Sequence, residues 1–190
     1  YNSGDVKKWN VSELERTARH EAGHALVSWL SGDKPSYLTI VARGSHGGYM
    51  QHGDDEKNIY TKDDLLARIR TSLGGRAAEL VYYGERDGVS TGASGDLQSA
   101  TGLAEAMIAN YGMDEVVGLG SIDMSKIDSV YYAKVRERVN EILAEELIKA
   151  KEIILKNKAA IDKIVQALLE KNHLKDYEID EIFKKYTIGE

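Results

Sequence analysis

The sequence predicts a mainly α-helical protein with a small β-sheet or hairpin near its first helix and a bundle of helices at its C-terminal end. Residues that favour helix dominate the composition, and the 190 residues include only one Pro. Apolar residues also recur at helical spacing along most of the chain. The clearest strand signal is residues 37–41, which are rich in β-branched and aromatic side chains.

The first predicted helix begins near Ser12, which forms a capping-box pattern with Glu15. It ends before Gly32, which suits a left-handed cap, and Pro35 prevents its continuation. The apolar residues of this segment form one broad face. They are Leu14, Ala18, Ala22, Ala25, Leu26, Trp29 and Leu30. The helix therefore carries the run His-Glu-Ala-Gly-His at 20–24 in its middle.

This run has the spacing of a metal site. Residues four apart lie on one face of a helix, so His20 and His24 can bind the same ion. Glu21 is one step further round the helix, close enough to act as the general base on an attacking water. Two satisfied core histidines are the alternative interpretation. The helical context favours the metal site, and the arrangement is that of a zinc peptidase.

A predicted hairpin follows the first helix. Residues 37–41 form its first strand, a glycine-rich turn ends at Gly48, and Tyr49-Met50-Gln51 forms a short second strand. The edge of such a strand can bind an extended peptide through backbone hydrogen bonds. Gly48, Tyr49, Met50 and Gln51 are therefore candidates for a substrate-binding strand, with an ordinary hairpin as the alternative.

The second predicted helix begins after the capping residue Thr61 and ends at Gly84. It contains the pair Gly74-Gly75, although glycine inside a helix costs about 1 kcal/mol relative to alanine. A close approach of another backbone would explain the pair. We predict that this backbone belongs to Ala22-Gly23 of the first helix.

The rest of the chain is predicted to be helical. Residues 91–97 form a flexible Gly/Ser loop that leads into a helix closed by Gly112. A long amphipathic helix covers about residues 125–157, and two shorter helices follow it. We therefore predict a single domain over 1–190, with a zinc-binding catalytic part at 1–112 and a helical part at 113–190.

Composition excludes several classes of ligand. The net charge is −6 without a block of Lys or Arg, which argues against nucleic acid. The chain has no Cys, so any zinc must be bound by His, Asp or Glu. It contains neither a P-loop for ATP nor an apolar run long enough to span a membrane. The chain begins with Tyr1 rather than Met, which suggests a piece of a longer protein.

A catalytic zinc ion usually has three protein ligands and one open position. Two carboxylates downstream of the histidines could complete the set. Glu79 lies on the helix with the glycine pair, and Asp96 follows the Gly/Ser segment. From the residues alone, both remain candidates.

Three segments resemble the peptidase domain of FtsH-type ATP-dependent zinc metalloproteases, which belong to the AAA+ proteases. They are His-Glu-Ala-Gly-His-Ala at 20–25, Gly-Gly-Arg-Ala-Ala-Glu at 74–79 and Thr-Gly-Ala-Ser-Gly-Asp-Leu at 91–97. The resemblance implies that His20, His24 and Asp96 bind zinc and that Glu21 is the catalytic base. Glu79 is then a residue that supports the ligands, or an alternative ligand.

The resemblance also implies a function. The chain would be a zinc endopeptidase with one Zn²⁺ per chain, acting on unfolded proteins within a homo-oligomeric ring, a hexamer. ATP would act only through an AAA+ domain, upstream or on another chain, on the cytoplasmic side of a membrane to which the full-length protein can be anchored. The rivals are a non-catalytic ring-assembly domain with a vestigial zinc site and a zinc hydrolase of a non-peptide substrate.

Overall fold

The computed structural model describes residues 11–41, 47–53 and 57–188. Within these ranges the chain forms six α-helices and three short strands. In chain order they are α1 (Val11–Leu30), β1 (Pro35–Thr39), β2 (Tyr49–His52), α2 (Lys62–Asp87), α3 (Ser94–Ala109), α4 (Ser129–Lys156), α5 (Lys158–Lys171), β3 (His173–Lys175) and α6 (Asp176–Tyr186). The predicted fold class is therefore confirmed.

The three strands form one antiparallel sheet in the order β2-β1-β3. Leu38 of β1 lies opposite Met50 of β2 and Leu174 of β3. Leu38 and Leu174 are fully buried, so this face of the sheet packs on a core that includes α1. The predicted hairpin of β1 and β2 is confirmed. The sequence does not predict β3, because three residues between two helices are too few to reveal a period of two.

β1 is displaced from the predicted segment 37–41. It begins at Pro35, which is tolerated as the first residue of a strand because it needs no ladder hydrogen bond there. It ends at Thr39, whose hydroxyl accepts the N–H of Val41 at 3.0 Å. This local hydrogen bond replaces the ladder bond that Val41 would otherwise donate.

α1 covers the predicted segment with a small shift at its start. Ser12 lies within α1 rather than before it, and Glu15 pairs with Arg19 at 2.7 Å. Gly32 follows the helix with φ of +92°, the left-handed conformation that was predicted for the cap. α1 therefore runs through all five residues of the His-Glu-x-x-His run.

α2 begins as predicted and extends beyond its predicted end. The hydroxyl of Thr61 accepts the N–H of Asp64 at 3.2 Å, and the Asp64 carboxylate accepts the N–H of Thr61 at 2.8 Å. Gly84 has φ of 83° and ψ of 179°, which kinks the helix. The chain then makes one more turn to Asp87.

α4 begins at Ser129, later than the predicted start near residue 125. Asp128 caps it, since its carboxylate accepts the N–H of Tyr131 at 2.9 Å. Its buried residues recur at helical spacing through Val135, Val139 and Ile142, and charged residues occupy the opposite side. Among the helices in the described ranges, none has the length and apolar character needed to cross a membrane.

The interior consists of two apolar clusters. The first joins α1, the sheet, α5 and α6 to the second halves of α2 and α4, and its large buried side chains include Leu26, Leu38, Ile161, Leu168 and Phe183. The second joins the first halves of α2 and α4 to α3, and includes Ile69, Met107, Ile108 and Val139. Both clusters draw residues from either side of residue 112. Neither cluster follows the predicted division into 1–112 and 113–190, and this division stays a prediction from the sequence.

α1 and α2 cross at glycines, where their backbones touch. A Cβ added to Gly23 would lie 2.2 Å from the carbonyl oxygen of Gly74, and one added to Gly74 would lie 2.7 Å from that of Gly23. The predicted reason for the glycine pair is therefore confirmed for Gly74. It is wrong for Gly75, whose added Cβ would lie 2.3 Å from Nε2 of His20. Gly75 makes room for an imidazole rather than for a backbone.

Gly23→Ala is expected to lower the free energy of unfolding by about 3 kcal/mol, because two helix backbones must separate to admit the methyl group. Denaturant unfolding measures this change. Gly102→Ala on α3 is the matched control, since nothing lies within 4 Å of its added Cβ. The free energy of unfolding of the control should rise by up to about 1 kcal/mol, because alanine is less flexible than glycine in the unfolded chain. Equal destabilisation of both variants would contradict the close crossing.

Candidate metal centre

The middle of α1 brings two imidazoles together. His20 and His24 lie one turn apart on the same face, and only 8% and 7% of their surfaces are exposed. Their Nε2 atoms are 3.1 Å apart, and the two rings meet edge to face. Both rings therefore present a nitrogen to the same point.

Asp96 reaches that point from α3. Its Oδ2 atom lies 3.0 Å from Nε2 of His20 and 3.1 Å from Nε2 of His24. The prediction of a flexible loop at 91–97 is wrong, because Thr91–Ala93 form a 3₁₀ turn and α3 begins at Ser94. Asp96 is thus held in the first turn of a helix, where the helix dipole favours its negative charge.

Hydrogen bonds from Nδ1 of the two histidines determine that Nε2 of each ring faces the proposed metal position. Nδ1 of His24 donates to the carbonyl oxygen of Thr71 at 2.6 Å, because a carbonyl can only accept. Nδ1 of His20 lies 2.9 Å from Oε2 of Glu79 and donates to that carboxylate. In the neutral form of each ring, the lone pair of Nε2 therefore points to the oxygen of Asp96.

These three atoms fit a zinc ion. Zinc bound tetrahedrally at 2.0–2.1 Å from each ligand holds its ligand atoms about 3.3 Å apart, close to the 3.0–3.1 Å measured between the two nitrogens and Oδ2. Three electron-rich atoms so close together repel one another unless a metal ion or a proton lies between them. Two imidazoles and one carboxylate are a common ligand set for catalytic zinc, which keeps a fourth position open.

Protons compete with a metal for the same atoms. Burial acts to lower the pKa of His20, but hydrogen bonds to Asp96 and Glu79 outweigh it and raise the pKa to about 10. Burial acts to raise the pKa of Asp96, but hydrogen bonds from His20 and His24 hold it well below its usual range. The centre is therefore arranged to retain positive charge.

At pH 8, zinc binding to the metal-free protein is expected to release about one proton per site. With a pKa of about 10, His20 carries a proton at pH 8 in the metal-free protein, whereas a zinc ligand must be neutral. Calorimetric titration in buffers of different ionisation enthalpy measures the release, which should decline as the pH rises through about 10. A binding enthalpy that is the same in every buffer at pH 8 would contradict this expectation.

Glu21 lies beside the three converging atoms without joining them. The residue is buried in α1, and burial raises the pKa of its carboxyl, although positive charge on His24 and His20 acts in the opposite direction. A carboxylate with a raised pKa can take up a proton and release it again, as a general base must. The position of Glu21 suits that role.

Glu79 lies on the outer side of His20. It contacts the ring through Nδ1, whereas the group of possible ligand atoms consists of His20, His24 and Asp96. Its carboxylate also accepts hydrogen bonds from Arg16 and from Ser90. Glu79 is therefore placed to orient His20 rather than to bind the same ion.

The predicted substrate strand begins next to Glu21. A Cβ added to Gly48 would lie 3.2 Å from Cγ of Glu21 and 2.8 Å from the carbonyl oxygen of Thr39. Tyr49, Met50 and Gln51 follow in β2, which is an edge strand of the sheet. The far end of β2 is fixed by His52, whose Nδ1 lies 2.8 Å from the carboxylate of Asp33.

Sequence reasoning missed three residues that support the centre, which are Arg16, Thr71 and Ser90. It singled out Gly75 but assigned it the wrong neighbour. Arg16 could have been found, because it lies four residues before His20 and therefore on the same helix face. The role of Thr71 could not, since it acts through a backbone carbonyl that every residue possesses.

A mainly helical domain in which a His-Glu-x-x-His helix meets a carboxylate from another helix has the architecture of a metallopeptidase. Comparison with known families agrees with this class. Residues 9–182 match peptidase family M41. The chain belongs to this family, and the predicted resemblance to FtsH-type peptidase domains is confirmed.

Curated relatives carry the name ATP-dependent zinc metalloprotease FtsH. The protein of Mycoplasma mobile is 37% identical, with 98% of this chain aligned to 29% of the relative. The protein of Mycoplasma genitalium is 39% identical over 96% of this chain and 28% of its own length. That of Chloroflexus aggregans is 34% identical over 88% and 28%. The chain thus spans less than a third of the length of these relatives.

Proposed function

We propose that this chain is a zinc-dependent endopeptidase that hydrolyses unfolded protein substrates. The observation that carries the proposal is the convergence of His20, His24 and Asp96 to within 3.1 Å, with the buried carboxyl of Glu21 in electrostatic contact with all three. The name of the relatives, zinc metalloprotease, supports the same metal and the same reaction.

His20, His24 and Asp96 would bind one zinc ion per chain and leave a fourth position open. When bound, zinc supplies a Lewis acid that makes water a nucleophile near neutral pH and polarises a carbonyl. Glu21 accepts the proton of the attacking water and later donates it to the leaving amine. Burial raises the pKa of Glu21, which makes its carboxylate a stronger base and favours the first of these two transfers.

β2 is the proposed binding strand for the substrate. It lies at an edge of the sheet, and its residues Tyr49, Met50 and Gln51 follow Gly48, which approaches Glu21. A peptide that pairs with this edge is bound through backbone groups, so its side chains matter little. This mode suits a peptidase that acts on unfolded chains of many sequences.

The proposal extends to the assembly. The relatives are named ATP-dependent, whereas this chain has no P-loop sequence, so ATP would act through an AAA+ ATPase upstream or on a separate chain. We propose a ring of copies, a hexamer, on the cytoplasmic side of a membrane, where the full-length protein can be anchored. Ile148 and Leu155 are exposed two turns apart on α4 and would be available for contacts between copies.

Cleavage of casein by the zinc-loaded protein tests the proposed reaction. Zinc should support cleavage, a chelator should abolish it, and added zinc should restore it. Oligomers that form without any cleavage would favour a non-catalytic assembly domain instead. Hydrolysis of simple esters or amides without casein cleavage would favour a zinc hydrolase of a non-peptide substrate.

A further inference from the structure

We propose that Arg16 is a positioning residue of the metal centre. It fixes the carboxylate of Glu79, which in turn orients His20 as a metal ligand. The inference rests on the proposed zinc site but does not depend on the substrate. It assigns Arg16, which lies outside the ligand group, a role in metal affinity.

Arg16 and His20 share the two oxygens of Glu79. They lie one turn apart on α1, so both side chains leave the same face of the helix. Nη1 of Arg16 donates to Oε1 at 2.8 Å, and Nδ1 of His20 donates to Oε2 at 2.9 Å. Glu79 is only 1% exposed, so water does not replace either partner.

Ser90 provides a second bond to the same oxygen that Arg16 binds. Its hydroxyl donates to Oε1 of Glu79 at 2.8 Å. Rotation of the carboxylate would break both of these bonds, so Oε2 stays directed at His20. Ser90 also caps the 3₁₀ turn before α3, where it accepts the N–H of Gly92 at 3.2 Å. Glu79 therefore links the helix of His20 to the segment that positions Asp96.

Arg16 is itself held in place. Its Nη2 donates to the carbonyl oxygen of Asp87, and its guanidinium lies 4.2 Å from the ring centroid of Tyr83. A planar guanidinium can make both hydrogen bonds and this stacking contact at once. A lysine ammonium could still donate to Glu79 but could not also donate to Asp87 and stack on Tyr83 in the same geometry. Arg16 is thus a fixed donor rather than a mobile surface charge.

Charge compensation explains why this donor matters. A buried carboxylate without a cation loses hydration that nothing replaces, so it tends to turn toward water. If Glu79 turned away, His20 would lose the acceptor that selects its tautomer and holds its ring. Such outer hydrogen bonds typically change metal affinity by about 10- to 100-fold.

The alternative is that Arg16 only ties α1 to the end of α2. Metal affinity measured on folded variants separates the two roles. Arg16→Met removes the bond to Glu79, and Arg16→Lys can restore it. Arg19→Met is the matched control, because Arg19 lies on the same helix and donates to the Tyr83 hydroxyl at 2.9 Å, but makes no bond to Glu79.

The experiment measures Co²⁺ binding by competition with a chelator, after thermal unfolding has shown that each variant is folded. Arg16→Met should bind Co²⁺ at least about tenfold more weakly than the unmodified chain. Arg16→Lys should recover most of the affinity, and Arg19→Met should leave it unchanged. Should Arg16→Met fail to fold, Ser90→Ala removes the other bond to Oε1 and should weaken binding in the same direction.

Nitrogen-15 labelling of histidine gives a second measurement, the exchange rate of the Nδ1–H proton of His20. This rate should not change if Arg16 has only a structural role. In the zinc-loaded chain the Nδ1–H proton of His20 should exchange slowly with water, and in Arg16→Met it should exchange rapidly. Unchanged Co²⁺ affinity in folded Arg16→Met, or an equal loss in Arg19→Met, would overturn the inference. Absence of casein cleavage with normal Co²⁺ binding would count against the proposed reaction alone.

Discussion

Glu21→Gln is expected to reduce peptide hydrolysis by about 100- to 10,000-fold, the usual contribution of a general base. Glutamine has nearly the same shape as glutamate but cannot accept the proton of the attacking water. The three proposed ligand atoms belong to His20, His24 and Asp96, so the variant should still bind zinc. Casein cleavage and zinc content, measured on the same preparation, check both parts of this expectation.

The outcome is interpretable only when zinc is present in the variant. A zinc-loaded Glu21→Gln protein with nearly unchanged turnover would remove Glu21 from the role of base. Loss of both zinc and activity would instead show that Glu21 helps to hold the metal. The structure argues against this second outcome, because Glu21 lies outside the group of possible ligand atoms.

Asp96→Ala is expected to lower zinc affinity by more than about 100-fold and to abolish hydrolysis, because a ligand contributes more than the outer residues that orient it. Oδ2 of Asp96 lies within 3.1 Å of both Nε2 atoms, and its removal leaves two ligands where catalytic zinc needs three. Competition with a chelator measures the affinity.

Glu79→Ala is the comparison for Asp96→Ala. Glu79 contacts His20 only at Nδ1 and lies outside the ligand group, so its loss should weaken zinc binding by about 10- to 100-fold and leave part of the activity. Equal losses of zinc affinity in the two variants would contradict the assignment of Asp96 as a ligand and Glu79 as a supporting residue. A metal-bound structure with a Glu79 oxygen about 2 Å from zinc would reverse the assignment.

The sequence predicts the histidine pair well because a helix converts a spacing of four residues into one shared face. No tertiary information is needed for His20 and His24. The carboxylate is different, since Glu79 and Asp96 are both acidic residues on later helices. Only the packing of α2 and α3 around α1 decides that Asp96 meets the Nε2 atoms and Glu79 meets Nδ1.

The error at residues 91–97 is local, whereas those at Gly75 and β3 arise because neighbours distant in sequence override local preference. Gly92 and Gly95 suggest a flexible loop, yet Ser90 caps a 3₁₀ turn there and α3 begins at once. Gly75 is explained by the ring of His20, which no local pattern reveals. β3 exists because β1 supplies a partner strand, whereas its three residues alone carry little strand signal.

The pairing of β1 with β3 has a consequence for the order of events during protein synthesis. The proposed zinc ligands leave the ribosome long before His173–Lys175, which give β1 its second neighbour and cover Leu38 with Leu174. Until then, β2 and the proposed substrate edge rest on an incomplete sheet, and two-stranded sheets are only marginally stable in water. We expect the nascent chain to carry its metal-binding residues without a finished substrate edge. The topology would therefore delay the proposed proteolysis until β3 has been made.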